Sequence, residues 1–128
     1  MRLRPRDLAK IGQLVLQHGA WYGRQIVSSE WIDQSIIPRM TGTGLMFSGR
    51  EGITSYGYLW WLGHVPDNRG EHDLVTAAGN GGQRLFIVPS LDLVVVVTAG
   101  VYGGKPSGLT GATALNDFVL PAAAAVTH

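Results

Sequence analysis

Apolar positions recur at helical spacing near the start of the chain. Leu8, Ile11, Leu14 and Val15 form a stripe within residues 5–18, the spacing of one helix face. Pro5 suits a first-turn position, Asp7 lies near the positive end of the dipole, and Gly19 supplies a left-handed stop. A tight turn follows at Tyr22-Gly23-Arg24. Ser28 or Ser29 can cap a second, shorter helix in which Trp31, Ile32, Ser35 and Ile36 run up to Pro38. From Thr41 to Glu51, Gly42, Gly44 and Gly49 interrupt any period, and the segment reads as loop.

Beyond that loop the pattern changes to that of strands. Tyr56–Leu62 is aromatic and predicts a strand, with Trp60 and Trp61 on opposite faces, one for the core and one for a cleft border. A polar loop over His64–Glu71 leads to a second strand, His72–Ala78. Gly79-Asn80-Gly81-Gly82 breaks the pattern before a third strand, Gln83–Val88. Pro89–Asp92 is a turn, and the continuously apolar Leu93–Thr98 predicts a fourth strand buried on both faces. A last helix spans 108–120 with Leu109, Ala112, Leu115 and Val119 as its stripe; Pro121 ends it, and residues 121–128 form a frayed tail. The expected fold class is α+β: an antiparallel sheet of four strands flanked by helices.

Composition narrows the function classes. The 128 residues carry 10 Lys+Arg against 9 Asp+Glu, so their charge gives no reason to expect nucleic acid as a partner. Arg2, Arg4, Arg6 and Lys10 cluster locally, as a solvated helix start does. With no cysteine there is no disulfide, thiolate metal site or Cys nucleophile. The longest apolar run, Leu93–Val97 with Thr98 and Ala99, is far short of the ~20 residues of a membrane helix, so no membrane partner is expected. The N-terminus lacks the apolar core of a signal peptide.

The search for chemistry is mostly negative. His18, His64, His72 and His128 lack metal-ligand spacing, and no metal or other cofactor is expected. There is no Gly-x-Ser-x-Gly elbow and no P-loop. Of the two lysines, Lys10 follows Asp7 by three residues and Lys105 follows Tyr102, so no Ser-x-x-Lys exists. His64 and His72 flank one loop and read as exposed, while Glu51, Asp67 and Glu71 read as solvated loop carboxylates without partners. The remaining feature is Ala77-Ala78-Gly79-Asn80-Gly81-Gly82-Gln83. Asn-Gly between strands is a hairpin signal, with positive φ at both turn positions. The same small residues also let a ligand approach the backbone closely.

These residues carry a family resemblance. LRPRDLAKIGQLVLQHGAWYGRQIVSSEWI, YGYLWWLG and AAGNGGQRLFIVPSLDLVVVVTAG occur in an order that resembles the C-terminal part of the serine β-lactamase-like hydrolases. That superfamily includes class C β-lactamases, DD-peptidases, esterases and 6-aminohexanoate-dimer hydrolases. The resemblance implies acyl transfer by a Ser-x-x-Lys nucleophile and base, a Tyr motif, and a third motif, often Lys-Thr-Gly, on the sheet edge. The first two are not in this chain, because Tyr22, Tyr56, Tyr58 and Tyr102 have no Asn or Ser two residues on. The chain is therefore expected to be the C-terminal segment of such a domain, inactive by itself.

The third motif maps in one of two registers. Ala77-Ala78-Gly79 in the Lys-Thr-Gly place makes the Asn80 backbone N–H an oxyanion donor; Asn80-Gly81-Gly82 in that place gives the role to Gln83. In both registers the family's cationic Lys is missing, which implies ester or amide substrates over β-lactam acids. Ala77, Ala78, Gly79, Gly81, Gly82, Tyr58, Trp60 and Tyr102 are the expected substrate-binding residues, and a small ester or amide the expected substrate when the N-terminal part is joined. The competing expectation is a non-catalytic binding or self-assembly module. Unpartnered apolar faces favour a homo-oligomer on either view.

Overall fold

A computed structural model describes residues 3–42, 52–103 and 110–126. It is α+β, with a six-stranded antiparallel sheet between two layers of helix. Helix α1 (Pro5–Leu16) enters with proline in its first turn and ends where Gly19, at φ +85°, donates to the Leu14 carbonyl. A small hairpin, β1 (Ala20–Trp21) and β2 (Arg24–Gln25), follows. Helix α2 (Ser29–Ser35) is capped by the Ser28 hydroxyl, which accepts from the Trp31 N–H. The large sheet is β3 (Met40–Thr41), β4 (Ile53–Tyr56), β5 (Trp61–Asp67), β6 (Gly70–Ala78), β7 (Arg84–Val88) and β8 (Leu93–Val97), paired in that order.

Alternation along the central strands divides the core in two. Leu85 and Ile87 face α1 and α2 with Val15, Ile32, Leu62 and Val75. Phe86 and Val88 face the C-terminal helix with Val65, Leu74, Leu115 and Leu120. Each such fully buried side chain contributes about 1.5–3 kcal/mol relative to its exposed state. Helix α1 reaches the sheet through Gly12, where a β-carbon would stand 2.6 Å from Val94 Cγ1. The buried stripe thus runs through Gly12 and Val15, while Ile11 is 39% exposed, correcting the expected face.

Four expectations about the elements change. The aromatic run 56–62 is a turn between two strands. The Gly57 N–H donates to the Trp60 carbonyl, Leu59 takes φ +65°, and Tyr56 pairs with Trp61. A β-carbon on Gly57 would meet the Ser35 carbonyl at 2.4 Å, and the Tyr58 N–H donates to that same oxygen, so contact with α2 fixes the turn. Trp60 consequently lies in the turn and does not alternate with Trp61.

The expected loop 64–71 is instead a hairpin: β5 runs to Asp67, β6 begins at Gly70, and Asp67 pairs with Gly70. His64 and Pro66 face outward on either side of buried Val65, while the polar Asp67 and His72 lie on the Val65 face, which conceals the strand from a reading based on polarity. Pro121 does not end the last helix. After α3 (Gly111–Thr113), residues Ala114–Val119 form a π turn, and α4 (Leu120–Val126) continues through the proline. The wide turn, with the Leu120 N–H donating to the Leu115 carbonyl, relieves the clash a proline ring makes with the carbonyl four residues earlier. Strand β8 is half-buried throughout and not fully buried, because it lies at the sheet edge while its alternate side chains reach both core layers. Glu51, Lys105 and the 108–109 start of the expected last helix fall outside the described residues.

Candidate functional site

The strand order brings three connections to one end of the sheet: the β4–β5 turn (57–60), the β6–β7 turn (79–83) and the segment leaving β8 (99–102). The expected site residues Tyr58, Trp60, Asn80, Gly81, Gly82, Gln83 and Tyr102 all lie at this end, with Ala77 and Ala78 on the last residues of β6 and Gly79 just beyond.

The β6–β7 turn is not a two-residue Asn-Gly hairpin. Ala78 pairs with Arg84, the Gly79 N–H donates to the Gln83 carbonyl at 3.0 Å, and the Gly82 N–H donates to the Gly79 carbonyl at 3.3 Å. Positive φ falls at Gly81 (+90°) and Gly82 (+94°), and not at Asn80. Within residues 79–82 that puts positive φ at the third position, as in a type II turn. The bonds that close the turn use neither the Asn80 nor the Gln83 N–H. Asn80 is exposed, whereas Gln83 is half-buried.

Gln83 holds the turn to the segment beyond β8. Its side-chain Nε2 donates to the Ala99 carbonyl at 2.6 Å and to the Tyr102 hydroxyl at 3.2 Å, while the Val101 N–H donates to the Gly81 carbonyl. The Tyr102 ring lies over Gly81 so closely that a β-carbon there would be 2.6 Å from Cε1. Gly81 is therefore required twice, by its φ and by the ring. On the other side of the turn, Arg84 Nη1 donates to the Gln83 carbonyl.

The aromatic residues at this end divide. Tyr102 joins the turn, but Tyr58 stacks on Trp31 with ring centroids 5.8 Å apart and lies under the Arg39 guanidinium. Trp60 is half-buried against the α1-side core. Tyr58, Leu59, Val101 and Tyr102 are exposed at this end. A groove of about 470 Å³ lies elsewhere, between α1 and the β8 edge, with Arg6, Lys10, Gln13, Trp21 and Asp92 in its wall.

The opposite end of the sheet holds side-chain chemistry that polarity alone concealed. Asp67 was expected to be solvated, yet its side chain is 3% exposed. It accepts from the Arg69 N–H at 2.7 Å and from the Arg69 guanidinium at 2.9 and 2.7 Å. Those bonds from Arg69 hold its carboxyl well below the usual range against the opposing effect of burial, and His72 lowers it further. His72, at 12% exposure, approaches Asp67 Oδ1 through Nε2 at 2.9 Å and shares a hydrogen bond with Ser90 Oγ through Nδ1 at 2.8 Å. The Nε2 contact is close but off the line of an aligned hydrogen bond. His64 pairs with Asp73 on the other face of the hairpin at 3.1 Å, so the two histidines do not meet. A sequence signal for this cluster existed in the Asp-x-Arg spacing across a two-residue turn; the reach to Ser90 needs the β6–β7 register.

Among the described residues no group of His, Asp and Glu is arranged to hold a metal ion, and no helix is long and apolar enough to cross a membrane. The β6–β7 turn is thus built on glycines at positive φ, at one end of a helix-flanked antiparallel sheet. No family profile matches the chain. Over 95 residues it is 33% identical to the 6-aminohexanoate-dimer hydrolase of Paenarthrobacter ureafaciens, a stretch covering 71% of this chain and 22% of that protein. The chain thus spans about a fifth of the relative's length, and the likeness supports a distant kinship with hydrolases.

Proposed function

We propose that this chain supplies the C-terminal sheet wall and one main-chain oxyanion donor of a β-lactamase-like serine hydrolase that cleaves ester or amide bonds through an acyl-enzyme. The observation that carries this reading is the β6–β7 turn, whose closing bonds leave the exposed Asn80 N–H outside the turn. Asn80 is the better donor of the two registers. Gln83 is half-buried, and its side chain is already committed to Ala99 and Tyr102. A donor aimed at the developing oxyanion contributes about 3 kcal/mol to the transition state. It depends on the backbone and not on the Asn side chain.

Without Ser-x-x-Lys or a Tyr motif, the 128 residues contribute that donor and the exposed rim of Tyr58 and Tyr102 but no family nucleophile. The missing cationic Lys of the third motif favours neutral esters and amides over β-lactam acids. The first test is the reading frame upstream of Met1, which is expected to encode Ser-x-x-Lys. In the full-length enzyme, efficient penicillin turnover would sink the substrate assignment.

One observation favours a second reading, a self-assembling module. The β8 edge, Leu93–Val97, has five apolar residues and no charge, proline or bulge to discourage pairing with a second copy. A homo-oligomer by light scattering is the outcome expected of the isolated chain on this view, and a clean monomer opposes it.

A further inference from the structure

The cluster at the far end of the sheet has the connectivity of an acyl-transfer triad. Continuing the β6–β7 register outward from Val75 and Ile87 sets His72 opposite Ser90, on the same face of the sheet. Ser90 sits in a single 3-10 turn, Pro89–Leu91, and is exposed to solvent. Its Oγ lies 2.8 Å from His72 Nδ1, within the reach a general base needs. The other ring nitrogen lies 2.9 Å from Asp67 Oδ1. Asp67 is in turn clamped by Arg69 through the opposite oxygen, Oδ2. Asp67 stands off the line of an aligned hydrogen bond to Nε2, so it is the charge of the carboxylate that favours the proton on that nitrogen and leaves Nδ1 as the acceptor facing the serine hydroxyl. The two ring nitrogens are used in the reverse sense from the usual serine-protease arrangement, but the order carboxylate, imidazole, hydroxyl is the same.

The geometry points to Ser90 as an acylable nucleophile, with His72 as its base and Asp67 as the residue that positions the imidazole. The site lies at the end of the sheet opposite the β6–β7 turn, and so does not depend on the function proposed for that turn. The ligand class is a small activated acyl or phosphonyl donor, since Ser90 is open to solvent. With an activated aryl ester, Ser90 Oγ forms a bond to the carbonyl carbon as its proton passes to His72 Nδ1. The bond to the aryl oxygen breaks, and the leaving oxygen takes the proton back from His72 Nδ1, so that the phenol departs and the imidazole is again neutral. Water then attacks the acyl-serine, its proton passing through His72, to release the carboxylic acid and restore the Ser90 hydroxyl. Two features set this serine apart from an ordinary surface hydroxyl: a largely shielded imidazole within hydrogen-bond reach, and a carboxylate on the far side of that imidazole.

The test is fluorophosphonate labelling of the purified 128-residue chain, with the adduct located by peptide mass spectrometry. The expected result is an adduct on Ser90. His72→Asn preserves an acceptor near the position of Nδ1 but is not a base, and is expected to slow labelling by about a hundredfold. Asp67→Asn is expected to slow it less, and Asp67→Glu, which keeps the carboxylate, to recover part of the rate. Thermal unfolding of each variant separates a lost base from a lost fold. The wild-type adduct stands even if a variant unfolds. Absence of an adduct on Ser90, or a rate that folded His72→Asn leaves unchanged, would overturn the assignment and leave the cluster as a structural tie between two hairpins. Neither result bears on the Asn80 donor, which is tested in the full-length enzyme.

Discussion

The two ends of the sheet are built from different materials. At the β6–β7 turn, glycines set the geometry and main-chain hydrogen bonds close it, beside exposed rings. At the β5–β6 turn, Asp67, Arg69, His72 and Ser90 are joined through side chains, and charge sets the geometry. A backbone site tolerates changes of side chain but not of backbone conformation. A side-chain site has the opposite sensitivities and also answers to pH. Here the glycine-built turn is visible in the sequence, whereas the side-chain cluster emerges only when the strand register brings Asp67, His72 and Ser90 together.

Substitutions at the two ends separate these behaviours. The largest effect is expected from Asn80→Pro in the full-length enzyme. Proline suits the second position of a type II turn, so folding is preserved while one N–H is lost. The fall in kcat is expected to be about a hundredfold or more, equivalent to about 3 kcal/mol, whereas Asn80→Ala leaves kcat nearly unchanged. Equal losses from the two variants would assign the role to the side chain and break the contrast.

Next in size is Gly81→Ala, which places a side chain at φ +90° and against the Tyr102 ring. A cost of about 1–3 kcal/mol is expected by denaturant unfolding. Combining it with Tyr102→Ala should cost less than the sum, because the steric part is shared. Strict additivity would show that the ring does not constrain the turn. Gln83→Ala removes the bonds to Ala99 and Tyr102 and is expected to cost about 1 kcal/mol. Hydrogen exchange of the Val101 amide, which donates to Gly81, should rise with it.

The smallest change belongs to the charged end. Asp67→Asn is isosteric and keeps one acceptor for Arg69. Because the folded carboxyl titrates below its unfolded value of 3.8, its stabilisation is fully present above that value. It is lost as the pH falls through the lower, folded value. The wild type is thus expected to exceed Asp67→Asn in stability at neutral pH, with the gap closing in acid. A gap independent of pH would show that packing and not charge holds this hairpin.

Much of the fold was legible because local and tertiary preferences agree there. Pro5, Gly19 and the Ser28 cap bound the first two helices, and 72–78, 84–88 and 93–97 alternate or run apolar as strands of the expected sheet. The aromatic run at 56–62 misled because its turn is imposed from outside, by the Ser35 carbonyl closing on Gly57. His64, Pro66 and Asp67 disguised a strand because they lie on a hairpin whose apolar content at that end is concentrated in Val65. At the candidate site the turn itself was legible from its glycines. What was not legible was the clasp from Gln83 to Ala99 and Tyr102, which spans 16 and 19 residues and leaves no periodic trace.

The π turn at Ala114–Val119 bears on how this chain tolerates length changes. Such a turn amounts to one residue inserted into an α-helix. Deleting a single residue within it would restore the narrower winding while leaving everything downstream in nearly the same phase. Leu120 would stay in the layer it shares with Phe86 and Val65, but Pro121 would come up against a carbonyl. Replacements at exposed Phe118 leave the wide turn untouched. In this helix the extra residue serves the proline, and a one-residue gap there should occur together with replacement of Pro121.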